Sequence, residues 1–124
     1  MQKPVFSVIT TGRGEKDRKA LQETFSNWEI TKKVFEEKSG KSKAIEFIIV
    51  DAGENAELPQ IGDSTIISSK KYDEYRRELW NSGAIKYSWW DSPAIGRNLG
   101  FKHAKGRIIV FQDIDSLFST GTEI

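Results

Sequence analysis

Asp113 and Asp115 stand one residue apart just after the apolar run Ile108–Phe111. Four consecutive apolar residues read as a buried strand, so both carboxylates arrive at its carboxyl end, the rim where open α/β sheets place ligands. Two carboxylates about 4 Å apart repel by roughly 4 kcal/mol at an effective dielectric near 20, so close approach needs a cation or a shared proton. An Asp-x-Asp alone is also compatible with a solvated turn that caps a strand. Upstream, Arg97 lies in Pro93-Ala-Ile-Gly-Arg-Asn-Leu-Gly100. A guanidinium there could meet an anion through paired hydrogen bonds, or a strand-end Asp through a salt bridge. Asp51 follows the run Ile45-Glu-Phe-Ile-Ile-Val50, and Thr10 and Thr11 end the run that starts at Val5. Polar groups therefore recur at strand ends.

The elements that must position these residues follow from periodicity. Val5 to Thr10 is β-rich and closes on the turn Thr11-Gly-Arg-Gly14, which predicts a first strand. From Asp17, the residues Leu21, Phe25, Trp28, Lys32 and Phe35 recur at three and four positions, which predicts a helix with one apolar face against a sheet. Ser39-Gly-Lys-Ser-Lys43 ends it, and Ile45 to Val50 is a second, nearly all-apolar strand. Leu58 to Asp63, with Pro59 and Gly62, reads as a loop, and Ser64 to Ser68 as a short third strand. Tyr72 to Trp80 suggests a short helix under a loop, with no readable chemistry. Pro93 fits the first turn of a helix capped by Asp91 or Ser92, with Ala94, Arg97, Asn98, Phe101 and Ala104 at helical steps and Lys105-Gly106 at its end. The alternation of strand and helix predicts an α/β fold with a mostly parallel sheet flanked by helices and right-handed crossovers.

Composition narrows the function classes. The 124 residues suit one small domain. Nineteen Lys and Arg balance eighteen Asp and Glu, so the net charge is +1 and no global field attracts nucleic acid or an anionic membrane. The absence of cysteine excludes disulfides, thiolate metal sites and cysteine nucleophiles. No run approaches the roughly twenty apolar residues that span a bilayer, and Met1 to Phe6 has no apolar signal region. The expected location is cytoplasmic, or the cytoplasmic face of a membrane in a longer protein.

The strand end at Thr10-Thr11, Val50-Asp51-Ala-Gly53, Pro93 to Gly100, Ala104-Lys-Gly106 and Phe111-Gln-Asp-Ile-Asp115 occur in the order of the motifs of family 2 glycosyltransferases, and the chain resembles the N-terminal half of that family. The resemblance implies a Rossmann-like, GT-A nucleotide-binding half, single-domain over 1–124 and truncated at its C-terminus. It implies that Asp113 and Asp115 hold Mg²⁺ or Mn²⁺ against the diphosphate of a UDP- or GDP-sugar, oxygen ligands that suit such cations. The cation would offset charge growing on the leaving nucleoside diphosphate. It further implies that Thr10, Thr11, Asp51 and Arg97 join Asp113 around the nucleotide sugar, and that the acceptor is a saccharide or another hydroxyl compound.

The chain departs from the family pattern in ways that bear on these expectations. Ala52 replaces the second acid and Glu54 the serine of Asp-Asp-Gly-Ser, and Gly12-Arg13 replaces the Pro and aromatic after the first strand. Asp51 is open to a second role, a strand-end carboxylate bonded to a loop backbone. An inverting transferase needs a carboxylate base for the acceptor hydroxyl, which the resemblance places beyond Ile124. Exposed apolar surface facing that region would favour self-association. The alternative to an enzyme is a non-catalytic nucleotide-binding or structural domain. A haloacid dehalogenase-type phosphatase also uses Asp-x-Asp, but Leu117 stands where Thr or Val is needed, and Thr11-Gly-Arg-Gly14 lacks the glycine-rich signature of sugar nucleotidyltransferases. His103 reads as a surface residue at a helix C-terminus, Trp28 as packing, Trp89-Trp90 as an apolar rim or stacking pair, and Lys41, Lys43, Lys70 and Lys71 as solvated.

Overall fold

The computed structural model describes residues 3–53, 58–84 and 93–114. Strands β1 (Phe6–Gly12), β2 (Ile45–Asp51), β3 (Thr65–Ile67) and β4 (Ile108–Phe111) form one sheet in the order β3-β2-β1-β4, and every pairing is parallel. The helices are α1 (Arg18–Ser39), preceded by a 3₁₀ turn at Gly14–Asp17, α2 (Ser69–Asn81) and α3 (Pro93–His103). This is the α/β architecture, a parallel sheet flanked by helices, that the alternation of elements predicts, and it is consistent with a Rossmann-like fold.

Two apolar layers hold the sheet between helices. On one side Leu21, Phe25 and Trp28 of α1 meet Val8, Phe47 and Ile49. Trp28 is fully buried and stacks on Phe47 with ring centroids 4.4 Å apart and planes 2° from parallel. On the other side Tyr72 of α2 and Ile95 and Leu99 of α3 meet Ile9, Ile48, Val50 and Ile67. Phe47 to Val50 are buried on both faces of the sheet, which is why β2 is an apolar run rather than an alternating one. Fully burying each such side chain stabilises by about 1.5–3 kcal/mol, so β2 is the thermodynamic centre of the fold.

Helix α1 stops where the sequence predicts, at Gly40, whose φ of 71° is left-handed and whose N–H closes on Glu36 O at 2.9 Å. Helix α2 differs from expectation. It starts three residues before Tyr72, because Ser68 caps it by accepting the Lys71 N–H at 3.3 Å. It packs on the sheet beside α3, with Tyr72 buried, rather than under a loop. In α3 the stripe of Ala94, Arg97, Asn98 and Phe101 faces outward, while Ile95, Gly96, Leu99 and Gly100 are buried. A Cβ on Gly96 would lie 2.4 Å from Thr11 Oγ1, and one on Gly100 2.4 Å from Ile9 Cγ2. The two glycines thus let the helix backbone sit against β1.

At the amino-terminal rim, the buried Ser7 hydroxyl donates to Glu46 Oε2 at 2.5 Å and accepts from Gly106 N–H at 2.8 Å. Glu46 also accepts the Lys105 N–H at 2.6 Å. Side chains from β1 and β2 thereby anchor the turn between α3 and β4. The expected helix cap at Asp91 or Ser92 lies outside the described residues, as do Trp89, Trp90 and Asp115. Among the described residues no helix is long and apolar enough to cross a membrane.

Candidate functional site at the carboxyl rim of the sheet

Parallel strands bring their carboxyl ends to one rim. Here that rim carries Thr11 and Gly12 of β1, Asp51 of β2, Gln112 and Asp113 after β4, and the first turns of α2 and α3. Neighbouring strands lie about 4.8 Å apart, so the ends of β2 and β4, with β1 between them, are about 10 Å apart.

The loop after β4 is fixed from below. Gln112 is buried, donates its N–H to Ile9 O at 2.9 Å and accepts the indole N–H of Trp28 on its side-chain oxygen. One turn earlier on α1, the Thr24 hydroxyl donates to Ile114 O at 2.8 Å. Residues on both sides of Asp113 are therefore tied to α1. Asp113 itself is exposed and pairs with Arg97 of α3, Nη2 to Oδ1 at 3.4 Å, while the same guanidinium carbon lies 5.9 Å from the Phe111 ring centroid. The side chains of Arg97 and Asp113 are 48% and 71% exposed, which leaves both open to a ligand. An ion pair this open contributes no more than about 1 kcal/mol, so exchanging it for a bound anion or cation costs little.

The other predicted residues occupy distinct environments. Thr10 is 1% exposed, and its hydroxyl finds no hydrogen-bond partner among the described residues. Strand alternation places it on the Val8 side of the sheet, under α1. Thr11 is half-buried on the opposite side, against Gly96. Asp51 is 1% exposed, and its two oxygens accept Gly53 N–H at 2.9 Å and Leu58 N–H at 3.1 Å. That is the backbone-bonding geometry of a strand-end carboxylate. Asn98 is exposed on the outer stripe of α3. His103 is exposed with Nδ1 3.1 Å from Leu99 O, in keeping with a surface role. The structure thus brings Arg97 and Asp113 together and leaves Thr10 and Asp51 in interior positions.

A cleft of about 340 Å³ opens beside the end of β2. Ala52 and Gly53 form one wall, and Lys70, Tyr72, Asp73 and Arg76 of α2 form another. Asp73 accepts Arg76 Nη2 at 2.6 Å on one oxygen and Arg77 Nε at 2.7 Å on the other. The hydrogen bond from Arg76, then that from Arg77, holds its carboxyl below the ordinary carboxylate range. From sequence, Tyr72 to Trp80 carries no readable chemistry and Lys70 reads as solvated, so neither marks this wall. The available signal was the spacing of Lys70, Asp73 and Arg76, each three residues apart, which aligns them along one side of a helix. Gln112 was missed for a related reason: nothing local marks it as the partner of a tryptophan 84 positions earlier.

Among the described residues no three His, Cys, Asp or Glu side chains converge as a metal centre. Asp113 supplies one exposed carboxylate with oxygens suited to a hard divalent cation. Comparison with family models, with curated proteins and with solved structures gives no match to this chain.

Proposed function

We propose that the carboxyl rim binds a nucleoside diphosphate sugar, and that the chain is the donor-binding part of an inverting glycosyltransferase. The observation that carries this reading is the separation of two ligand-ready features along one rim. The α2 cleft lies beside β2, and the Arg97–Asp113 pair lies at the end of β4. About 10 Å between those strand ends suits a nucleotide with its base in the cleft and its diphosphate near Arg97.

In this reading Arg97 contacts diphosphate oxygens through its planar fork of donors. Asp113, together with Asp115, holds Mg²⁺ or Mn²⁺. When bound, the cation neutralises charge on the departing diphosphate. Thr24 and Gln112 keep the Asp113 loop in place. Thr11 is close enough to α3 to border the site. Transfer also needs a carboxylate base for the acceptor hydroxyl, a saccharide or similar alcohol, and none of the residues above serves that role. A cytoplasmic location, where nucleotide sugars are made available, accords with this assignment.

A second reading draws on Asp51. Its two backbone bonds make it a structural residue, as in a nucleotide-binding or structural domain without catalysis. Calorimetric titration of UDP and GDP, with Mn²⁺ and with chelator, tests the first reading. We expect metal-dependent binding that weakens about tenfold or more in Asp113→Asn, since a metal–carboxylate contact is lost. Absence of binding to either nucleotide would favour the structural domain.

A further inference from the structure

We infer that β4 pairs with β4 of a second copy of this chain, antiparallel about a two-fold axis through Val110, and that Arg107 of the second copy thereby joins the Arg97–Asp113 pair.

The backbone limits which residues can pair. Ile108 N–H donates to Val5 O and Gln112 N–H to Ile9 O, both at 2.9 Å. Backbone groups of alternate residues point to opposite sides of a strand, so Val110, opposite Val8 in the register, also faces β1. The N–H and C=O groups of Ile109 and Phe111 therefore point away from β1, and no described strand meets them. In an antiparallel pair, the residues that exchange both hydrogen bonds must come from this outward set on both strands. An axis through Val110 meets that condition. Ile109 then faces Phe111 of the other copy, Arg107 faces Asp113, and Ile108 faces Gln112, while the two Val110 residues form a non-hydrogen-bonded pair. An axis midway between Ile109 and Val110 would set outward groups against inward ones.

Side chains choose among the registers the backbone permits. An axis through Phe111 would place Asp113 opposite Ile109. One through Ile109 would place Asp113 opposite Lys105, whose N–H is held in the preceding turn by Glu46. Only the Val110 axis makes the segment 107–113 its own complement, with a cation at one end meeting a carboxylate at the other twice per dimer. Arg107 is exposed and has no ion-pair partner among the described residues, and the Asp113 side chain is 71% exposed. Both lie on the face that carries α3, because Phe111 sits under Arg97 and Ile109 packs with Ile95 and Leu99. A carboxylate has lone pairs for more than one guanidinium, so Asp113 can accept Arg107 of the second copy and keep Arg97. Ile109 against Phe111 is a β-branched residue against an aromatic, a favourable cross-strand pair. Two of the five exposed large apolar side chains described, Ile108 and Phe111, lie on β4 itself, so pairing there covers apolar surface as well as open backbone.

The chain has no cysteine, which permits a direct test of the register. Non-hydrogen-bonded partners have Cα atoms about 4.5 Å apart, within the span of a disulfide, whereas the two Ile109 residues would be diagonal neighbours about 7–8 Å apart, outside it. We expect Val110→Cys to form a covalent dimer on mild oxidation and Ile109→Cys to remain largely uncrosslinked. In sedimentation equilibrium, Arg107→Asp and Asp113→Arg should each weaken the dimer roughly tenfold by setting like charges together, and the two changes combined should restore it to within about threefold of the parent. Both positions are exposed, so thermal midpoints should stay within a few degrees. A parent that is monomeric at every concentration would overturn the inference. Crosslinking of Ile109→Cys as readily as Val110→Cys, or a combined charge swap that restores nothing, would overturn the register and place the contact on another surface. If Val110→Cys does not fold, the charge swap decides alone.

Discussion

Single residues divide according to which side of the sheet they face, and a one-residue step changes everything. Thr10 and Thr11 are adjacent, yet Thr10 lies under α1 with a hydroxyl unpaired among the described residues and Thr11 borders the rim beside α3. The sequence supports both as site candidates because it shows a polar strand end. It does not show how far β1 runs, and the strand continues to Gly12, which carries Thr10 into the interior. A buried hydroxyl without a partner costs about 1–3 kcal/mol, and valine has nearly the same shape. Thr10→Val is therefore expected to stabilise the protein by about 1 kcal/mol, raising the thermal midpoint by a few degrees. Differential scanning calorimetry measures it; a lower midpoint would mean that the hydroxyl has a role the packing does not reveal. Asp113 is legible because it follows the end of an apolar strand, and Arg97 because it belongs to the stretch from Pro93 to Gly100 that precedes that strand. Their partnership was one of two readings of Arg97, and geometry supplies it at 3.4 Å.

Elements were more legible than the contacts between them. The run at β2, the apolar face of α1 and the glycine stop at Gly40 are local signals, and each element appears where those signals place it. The apolar period places the start of α2 at Tyr72 because Ser69, Lys70 and Lys71 carry none, although Ser68 is a good cap. The docking of α3 was not legible at all, since a glycine at helical spacing reads locally as a defect. In the fold Gly96 and Gly100 are the contact surface. Replacing Gly96 by Ala sets two effects against each other. Alanine gains about 1 kcal/mol of helix propensity over glycine, while overpacking costs about 1–3 kcal/mol. The new Cβ would sit 2.4 Å from Thr11 Oγ1 and 2.9 Å from its Cγ2, and a β-branched side chain has few rotamers to retreat into. The overlap wins, so Gly96→Ala is expected to destabilise by about 1–2 kcal/mol. Urea unfolding would then show a lower midpoint at unchanged slope, and an unchanged or higher midpoint would mean that α3 can move away from β1 at little cost. Because α3 carries Arg97, the same variant should also weaken any ligand held at the Arg97–Asp113 pair.

For the whole molecule, the sheet is best sealed at its centre and least sealed along β4. No described strand pairs with the outer side of β4, and Ile108 and Phe111 are 49% and 46% exposed, with Phe101 of the adjacent α3 at 58%. A strand edge with open backbone groups and apolar side chains is a template for pairing with another chain. A net charge of +1 provides little repulsion to prevent it. We therefore expect the protein to associate with itself as its concentration rises. Ile108→Lys is the appropriate probe, because lysine on an edge strand opposes pairing and the position is half open to solvent, whereas Phe111 also supports Arg97. Sedimentation velocity across a range of concentrations should show the parent moving to larger species while Ile108→Lys stays monomeric with a similar thermal midpoint. If the parent remains monomeric throughout, the edge is stable in water unaided; if both associate alike, the contact lies on another surface.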